Sequence, residues 1–227
     1  MRVCVISDIH GKYERLYSLK ESAEKADALI VNGDLTHFGD EAEAHKVIAE
    51  LKKLHPRVYA VPGNCDGESV ASVMESEGIS IDGGVHTLQP EKGREDSGEA
   101  TLYGIGGALP GPVPTPNEYS KEELEVRLSE ISRVEGKPLI LVSHQPPQNT
   151  IADRVFKIKH VGSRVLRKWM ESFEPLLVLT GHIHESRGFR ARGKTWVLNP
   201  GAFKDGRWAE VEIDITGRKV SAQLRSF

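Results

Sequence analysis

Five short runs of mainly apolar residues in this sequence each lead into a carboxylate, an amide or a histidine side chain. The runs occupy positions 3–6, 28–31, 58–61, 138–142 and 176–179. Continuous apolar runs of this length are typical of strands that are buried on both faces of a sheet. In open α/β sheets the ligand crevice lies just beyond the carboxyl ends of such strands. The pattern therefore predicts an α/β fold with functional side chains at these strand ends.

Helical patterns fill the intervals between the runs. Residues 13–24 carry Leu16, Leu19 and Ala23 at helical spacing, which predicts a first helix packed on the sheet. A strand, a helix and a second strand in this order form a right-handed crossover with parallel strands. Asp8 and Asp34 are therefore expected at the same edge of one sheet.

Capping signals mark the other helices. Asp40 with Glu43 three residues later predicts the start of a helix that continues to residue 54. Ser120 with Glu123 forms a capping box that opens a helix through about Val134. A short helix is expected at 70–77, and Ser163 is the expected N-cap of another. The last part of the chain, 195–198, 208–215 and 219–224, is expected to form strands.

Two irregular stretches lie in the middle of the chain. Runs at 85–88 and 100–105 flank a polar segment at 91–99, which predicts an antiparallel hairpin with a long solvated loop. Residues 106–116 contain four prolines and three glycines, too many for a regular element. This stretch is either a surface linker or a rim loop that shapes access to a pocket.

Composition bounds the class of protein. The 227 residues favour one domain, 1–227, and the net charge of −3 gives no electrostatic footprint for duplex nucleic acid or an anionic membrane. The settings of the two cysteines do not suggest a disulfide framework, which favours a reducing compartment. No apolar run approaches the length of a membrane span or a signal segment. We expect a soluble cytoplasmic protein, whose oligomeric state has no readable signal.

The strand ends supply seven candidate metal ligands: Asp8, His10, Asp34, Asn64, His144, His182 and His184. Oxygen and imidazole donors without thiolate suit manganese, iron, zinc or nickel better than calcium or magnesium. Seven donors are too many for one open catalytic ion, so two divalent ions that share one carboxylate are expected. Two such ions about 3.5–4 Å apart can clamp the attacking and leaving oxygens of an in-line displacement. The alternative, polar strand ends that simply meet water, requires all seven positions to coincide.

Five motifs then carry a resemblance to a family: Asp8-Ile9-His10, Gly33-Asp34, Gly63-Asn64-Cys65-Asp66, Ser143-His144 and Gly181-His182-Ile183-His184. In this order they closely resemble the five blocks of the calcineurin-like metallophosphoesterases. The resemblance implies a four-layer α/β/β/α sandwich with two mixed sheets. It also implies hydrolysis of phosphoesters by in-line attack of a metal-bridging hydroxide, without a covalent enzyme intermediate.

The resemblance also implies how the ligands divide. One ion is expected on Asp8, His10 and His184, a second on Asn64, His144 and His182, with Asp34 bridging both. The segments 159–163 and 199–201 resemble a branch of small predicted phosphoesterases close to the class III phosphodiesterases. A small phosphorylated substrate, with nucleotides as one class, is the implied partner.

Cys65 departs from the family pattern. Much of the family has a histidine there, over the scissile phosphate, whereas a thiol with a reference pKa of ~8.5 is a weak donor without positive charge at neutral pH. We therefore expect phosphodiesters or activated aryl esters to be better substrates than alkyl monoesters. A phosphomonoesterase and a non-catalytic scaffold on the same fold are the alternatives, although no gap among the seven ligands favours the scaffold.

Other side chains could supply what Cys65 lacks. His37 and His160 are candidate catalytic residues beside Asp34 and Asn64, and His160 is also a candidate for substrate binding together with Asn64 and Cys65. For each of the two histidines, the ordinary alternative is a surface or loop-packing role. Asp66 is a further candidate that either orients the catalytic region or caps the following helix.

Overall fold

The fold is built from two large β-sheets with helices on their outer faces. The computed structural model describes residues 1–91, 98–131 and 138–227. Within these residues the strands are β1 (Arg2–Ile6), β2 (Ala28–Asn32), β3 (Val58–Val61), β4 (Val85–Leu88), β5 (Ala100–Ile105), β6 (Leu139–Ser143), β7 (Arg154–Val155), β8 (Lys159–His160), β9 (Leu177–Thr180), β10 (Gly188–Arg192), β11 (Thr195–Asn199), β12 (Arg207–Asp214) and β13 (Lys219–Ser226). The α-helices are α1 (Lys20–Glu24), α2 (Glu41–Leu54), α3 (Glu68–Ser76), α4 (Lys121–Ile131) and α5 (Arg164–Phe173).

Both large sheets are mixed. The first has the order β13-β12-β1-β2-β3, in which β1, β2 and β3 run parallel and β12 runs antiparallel to β1. The second has the order β10-β11-β9-β6-β5-β4, with parallel pairs at its centre and an antiparallel strand at each edge. The parallel arrangement of β1 and β2 confirms the predicted crossover, and both strands end at the same edge.

Three apolar cores confirm the four-layer arrangement. Because successive side chains of a strand point to opposite faces, Val3 and Val5 of β1 join a core between the two sheets, together with residues of β6 and β9. Cys4 and Ile6 point the other way, into a core with α2 and α3. A third core lies between the second sheet and helices α4 and α5. The strands that carry the five apolar runs are therefore buried on two sides, as the runs predicted; these are β1, β2, β3, β6 and β9.

The predicted capping signals are present. The Asp40 carboxylate accepts the Glu43 backbone N–H at 2.9 Å at the start of α2. Ser120 and Glu123 satisfy each other's backbone N–H groups at 2.6 and 3.1 Å before α4, as a capping box does. Ser163 Oγ accepts the Leu166 N–H at 3.2 Å. The predicted end of α4 near Val134 and most of the 91–99 loop lie outside the described residues.

The segment 13–24 is helical as predicted, but it is not one continuous helix. It forms a 3₁₀ helix at Tyr13–Leu19 followed by the short α1, and neither start has a side-chain N-cap. A 3₁₀ helix aligns residues three apart, so Leu16 and Leu19 both reach the core without an α-helical turn. Strand β10 and the β7–β8 hairpin have no counterpart in the predictions from sequence. No helix in the described ranges combines the length and apolar character needed to cross a bilayer.

Candidate metal centre

All seven candidate ligands lie where the two sheets present their strand ends. Asp8 and His10 follow β1, Asp34 follows β2 and Asn64 follows β3, so four ligands come from the first sheet. The second sheet supplies three, His144 after β6, with His182 and His184 after β9. Asp8 and His144 are fully buried, and the other five are buried or half-buried. The tertiary structure thus brings together side chains that are up to 176 positions apart.

One group of donors surrounds Asp8 and His184. His184 Nε2 lies 3.1 Å from Asp8 Oδ1 and 3.2 Å from His10 Nε2. His10 Nε2 lies 3.6 Å from Asp34 Oδ2. The four side chains can offer ligand atoms that all lie within 4.8 Å of one another. Two imidazoles and two carboxylates at this spacing form a donor set that transition metals prefer.

A second group surrounds Asn64. Its Oδ1 lies 3.0 Å from His144 Nε2 and 2.7 Å from His182 Nδ1. His144 Nε2 also lies 3.6 Å from Asp34 Oδ2, the same oxygen that faces His10 in the first group. Asp34 Oδ2 is therefore shared by the two groups.

The imidazole of His144 is held by an interaction outside the donor set. Its Nδ1 donates to the backbone carbonyl of Asn32 at 2.6 Å, which fixes the tautomer and leaves Nε2 free to face Asp34 and Asn64. Asn32 is buried, and its side-chain amide donates to the Thr180 carbonyl at 3.1 Å, tying the ends of β2 and β9 together. The sequence places Asn32 at a strand end, but a backbone acceptor has no sequence signal.

Strained backbone aims several of these side chains inward. Asp8, His10, Asp34 and His182 have φ values of 57°, 47°, 51° and 65°, in the left-handed region. This conformation costs about 1–2 kcal/mol for a residue with a Cβ atom and is concentrated at functional sites in proteins. The surrounding sheets hold these four residues in the left-handed conformation, so the strained backbone is part of the structure of the site.

Gly63 allows the chain to approach Asp34 closely. A Cβ atom at this position would collide with Asp34 Oδ1 and with the Asp34 backbone nitrogen. The same oxygen accepts the Cys65 N–H at 2.8 Å. Because residue 63 has no side chain, Asp34 Oδ1 can accept this hydrogen bond while Asp34 Oδ2 faces the two groups of donors.

The charges of the site suit a cation. Asp8 Oδ2 is buried without a hydrogen-bond partner among the described residues. Burial alone would raise the pKa of Asp34, but His144 and His10 outweigh it and hold this pKa well below its usual range. Burial alone would lower the pKa of His144, yet the charge of Asp34 raises it to about 9. The two buried carboxylates therefore attract positive charge, and the residues present fit divalent metal ions.

Comparison with known sequences decides the family. The sequence model of the calcineurin-like phosphoesterases matches residues 1–186, a range that contains all seven candidate ligands. The chain belongs to the calcineurin-like phosphoesterase family. It is accordingly a metallophosphoesterase, a metal-dependent hydrolase of phosphoric ester bonds.

This phosphoesterase is similar in sequence to a known protein and similar in fold to solved crystal structures. It is 39% identical over 204 residues to an uncharacterized protein of Methanocaldococcus jannaschii, covering 88% of each chain. The crystal structure of TT1561 from Thermus thermophilus matches with a TM-score of 0.73 and 20% identity, over 98% of this chain and 97% of that one. A dimetal phosphatase from Danio rerio matches with a TM-score of 0.60 and 10% identity, over 100% and 96%. The two structures share the fold.

Asp66 of the phosphoesterase stands behind the donors. Its carboxylate is buried and accepts the backbone N–H groups of Leu35, Thr36 and Gly63 at 3.0, 2.9 and 2.9 Å, and the Thr36 hydroxyl at 2.8 Å. Burial and the charge of Asp34 raise the pKa of Asp66 to about 6. These bonds connect the loop after β2 to the loop after β3, which favours the orienting role over the helix cap.

Cys65 and His37 lie beside His10. Cys65 is buried, and burial together with the charge of Asp34 raises the pKa of its thiol, which therefore stays neutral. His37 is exposed, and its Nδ1 lies 3.3 Å from His10 Nδ1. His10, His37 and Cys65 can place one ligand atom each within 4.8 Å of one another. The position that is usually histidine in the family thus has an imidazole nearby, supplied by a different loop.

His160 sits at the end of the β7–β8 hairpin. Its Nδ1 lies 2.6 Å from Asp153 Oδ1, an ion-pair distance inside its own segment. This partner favours the loop-packing interpretation of His160.

The loop at 106–116 borders the centre. Leu109 N–H donates to the Gln145 side chain at 3.1 Å, and Gly107 N–H donates to the Pro62 carbonyl at 2.9 Å. Asn117, just beyond the loop, donates to the carbonyls of Asn64 and Gly63 at 3.1 and 3.0 Å. These bonds attach the loop next to two candidate ligands, Asn64 and His144, and support the rim interpretation over the linker.

Proposed function

We propose that this metallophosphoesterase is a dinuclear phosphodiesterase that hydrolyses small phosphodiesters. The observation that carries the proposal is that Asp34 Oδ2 lies 3.6 Å from both His10 Nε2 and His144 Nε2, between two groups of donors. Asp8, His10 and His184 would hold one ion and Asn64, His144 and His182 a second, with Asp34 shared. Manganese, iron, zinc and nickel all suit these donors. Divalent ions held there supply Lewis acidity toward phosphoryl oxygens and lower the pKa of a water.

The residues of the chain also favour an anionic substrate. Asp8 and Asp34 contribute two negative charges, fewer than the four positive charges of two divalent ions, so the loaded site keeps a net positive charge. The 106–116 loop, attached beside Asn64 and His144, borders the place where a small phosphoester would bind. A nucleotide is one class of substrate that fits this description.

Cys65 is the reason for preferring diesters. Its thiol is neutral and gives little help to a poor leaving group. The second ester group of a diester also leaves less negative charge on the phosphoryl oxygens than a monoester has, so the site has less charge to compensate. We expect the manganese-loaded protein to hydrolyse bis(p-nitrophenyl) phosphate with a kcat/KM about tenfold higher than an alkyl phosphomonoester such as glycerol phosphate. Chelation should abolish both activities, and added manganese should restore them.

The matched variants for this test are Cys65→His and Cys65→Ser. Cys65→His should raise kcat/KM for the monoester more than for the diester, because it restores an imidazole donor. The ratio of the diester kcat/KM to the monoester kcat/KM should therefore fall. Cys65→Ser removes the thiol without adding an imidazole and should leave the ratio unchanged. A wild-type protein with a higher kcat/KM for the monoester would contradict the diester assignment. The same diester-to-monoester ratio in wild type, Cys65→His and Cys65→Ser would also contradict it.

His37 is proposed to position His10. Two bare ring nitrogens 3.3 Å apart repel each other, so one of the two Nδ1 atoms must carry a proton. His10 directs Nε2 at the donor group, which leaves its proton on Nδ1, donated to His37. Hydrogen bonds of this kind fix the tautomer of a ligating histidine, and their loss typically weakens metal binding 10–100-fold.

We therefore expect His37→Ala to weaken manganese affinity, measured by isothermal titration calorimetry, at least about tenfold. His37→Asn should stay within about threefold of wild type, because Asn Oδ1 can replace the Nδ1 acceptor. His45→Ala, which removes an exposed histidine on α2, is the control and should have no effect. Equal affinities for wild type and His37→Ala would rule out this role.

A further inference from the structure

The hairpin formed by β7 and β8 exposes two large apolar side chains at its tip. Phe156 is 80% exposed and Ile158 is 82% exposed, the highest values among the large apolar residues of the described chain. Lys157 and Lys159 lie beside them and are also exposed. Two exposed apolar side chains that alternate with two lysines are unusual at a turn, where polar residues are expected.

The backbone of this turn is also unfavourable. Ile158 N–H donates to the Val155 carbonyl at 3.2 Å, and the two residues between them, Phe156 and Lys157, have φ values of 51° and 61°. Such a two-residue turn with both central residues left-handed is usually Asn-Gly. A bulky residue at either position is strained and persists only where the surroundings hold it. Packing within the described chain does not explain the exposure of Phe156.

Hydrogen bonds hold the tip next to the metal centre. Phe156 N–H donates to Glu185 Oε1 at 2.7 Å, and Arg154 N–H donates to Ser186 Oγ at 2.7 Å. Glu185 and Ser186 directly follow the candidate ligand His184. At the base of the hairpin, buried Asp153 accepts the backbone N–H groups of Asn149, Thr150 and Gly162, each at 3.0 Å. The tip is therefore fixed beside the ligand loop.

We propose that Phe156 and Ile158 bind the organic group of the phosphoester, so that the preferred substrates carry an aromatic or apolar substituent on phosphate. The proposal rests on the proposed function and adds a substrate class to it. An aromatic ring such as a nucleobase can stack on Phe156, and Lys157 and Lys159 complement the negative charge of the phosphate.

A pair of phosphonates tests this without catalysis. Phenylphosphonate and methylphosphonate are not esters, and they differ only in the organic group on phosphorus, an aromatic ring in one and a methyl group in the other. For the manganese-loaded protein we expect phenylphosphonate to bind about tenfold more tightly, measured by calorimetry. In Phe156→Asn this ratio should fall to about one, while the Kd of methylphosphonate stays within about twofold. Asn tolerates the left-handed turn, so Tm should stay the same or rise.

Two further variants complete the test. Ile158→Ser should also lower the preference for phenylphosphonate over methylphosphonate. Val126→Ala, which shortens an exposed apolar residue on α4, should keep the wild-type preference. A wild-type protein that binds both phosphonates equally, or neither, overturns the proposal, as does an unchanged ratio in Phe156→Asn. If Phe156→Asn instead loses only co-sedimentation with phosphatidylglycerol vesicles, the tip binds membranes and the proposal is wrong.

The test of the proposed function is independent of the test of the hairpin tip. A protein that hydrolyses no phosphodiester but shows the phenyl preference, lost in Phe156→Asn, contradicts the phosphodiesterase assignment and leaves the role of the tip intact. An active phosphodiesterase without that preference contradicts only the role of the tip.

Discussion

Replacing Asp34 with alanine is expected to lower kcat/KM for bis(p-nitrophenyl) phosphate by about 10³-fold or more. Its Oδ2 is 3.6 Å from both His10 Nε2 and His144 Nε2, so this one oxygen connects the two groups of donors. Its other oxygen anchors the loop after β3 through the Cys65 N–H. Alanine removes both connections and half of the negative charge supplied by Asp8 and Asp34.

Metal content separates the causes of this loss. Elemental analysis of Asp34→Ala should show fewer bound ions than wild type, and Asp34→Asn, which keeps the shape, should lose activity as well because it lacks the charge. Asp205→Ala is the control and should keep kcat/KM within about twofold. Asp205 is an exposed acid in the 3₁₀ helix Phe203–Asp205, which lies near the site because the Lys204 N–H donates to the Asp8 carbonyl at 3.1 Å. A fully active Asp34→Ala protein would contradict the shared-ligand arrangement.

Replacing Asp66 with alanine is expected to lower the free energy of unfolding by about 3–5 kcal/mol. The carboxylate is 1% exposed and accepts three backbone N–H groups and one hydroxyl, at 2.8–3.0 Å. Alanine would leave these donors buried without partners, and each unsatisfied group costs about 1–3 kcal/mol. Urea denaturation of the metal-free protein measures the change without a contribution from bound ions.

The control for Asp66 is Asp40→Ala. Asp40 also accepts a backbone N–H, but it is an exposed N-cap with one such bond, and its loss should cost about 1 kcal/mol. Equal effects of the two substitutions would show that the Asp66 network does not hold the two loops together.

Much of the fold is readable from sequence because its signals are local. The buried strands appear as apolar runs, and the caps at Asp40, Ser120 and Ser163 depend on residues three apart. The sequence did not indicate that the helix predicted at 13–24 divides into a 3₁₀ helix and a short α-helix, because buried residues at a spacing of three suit either helix type when no cap decides between them. The short β7–β8 hairpin gives no signal, because its turn carries Phe156 and Lys157 in place of the usual turn residues.

Local patterns in the sequence are enough to predict the class of fold, the order of the polar strand ends and the chemistry of the seven donors. Which donors meet depends on the folded chain, in which the two sheets pack so that Asp8 reaches His184 and Asn64 reaches His144 and His182. The fold also orients His144 through a backbone carbonyl and places His37 against His10. This division arises because periodicity and capping are properties of neighbouring residues. Long-range contacts, backbone acceptors and left-handed residues depend on how the two sheets pack together.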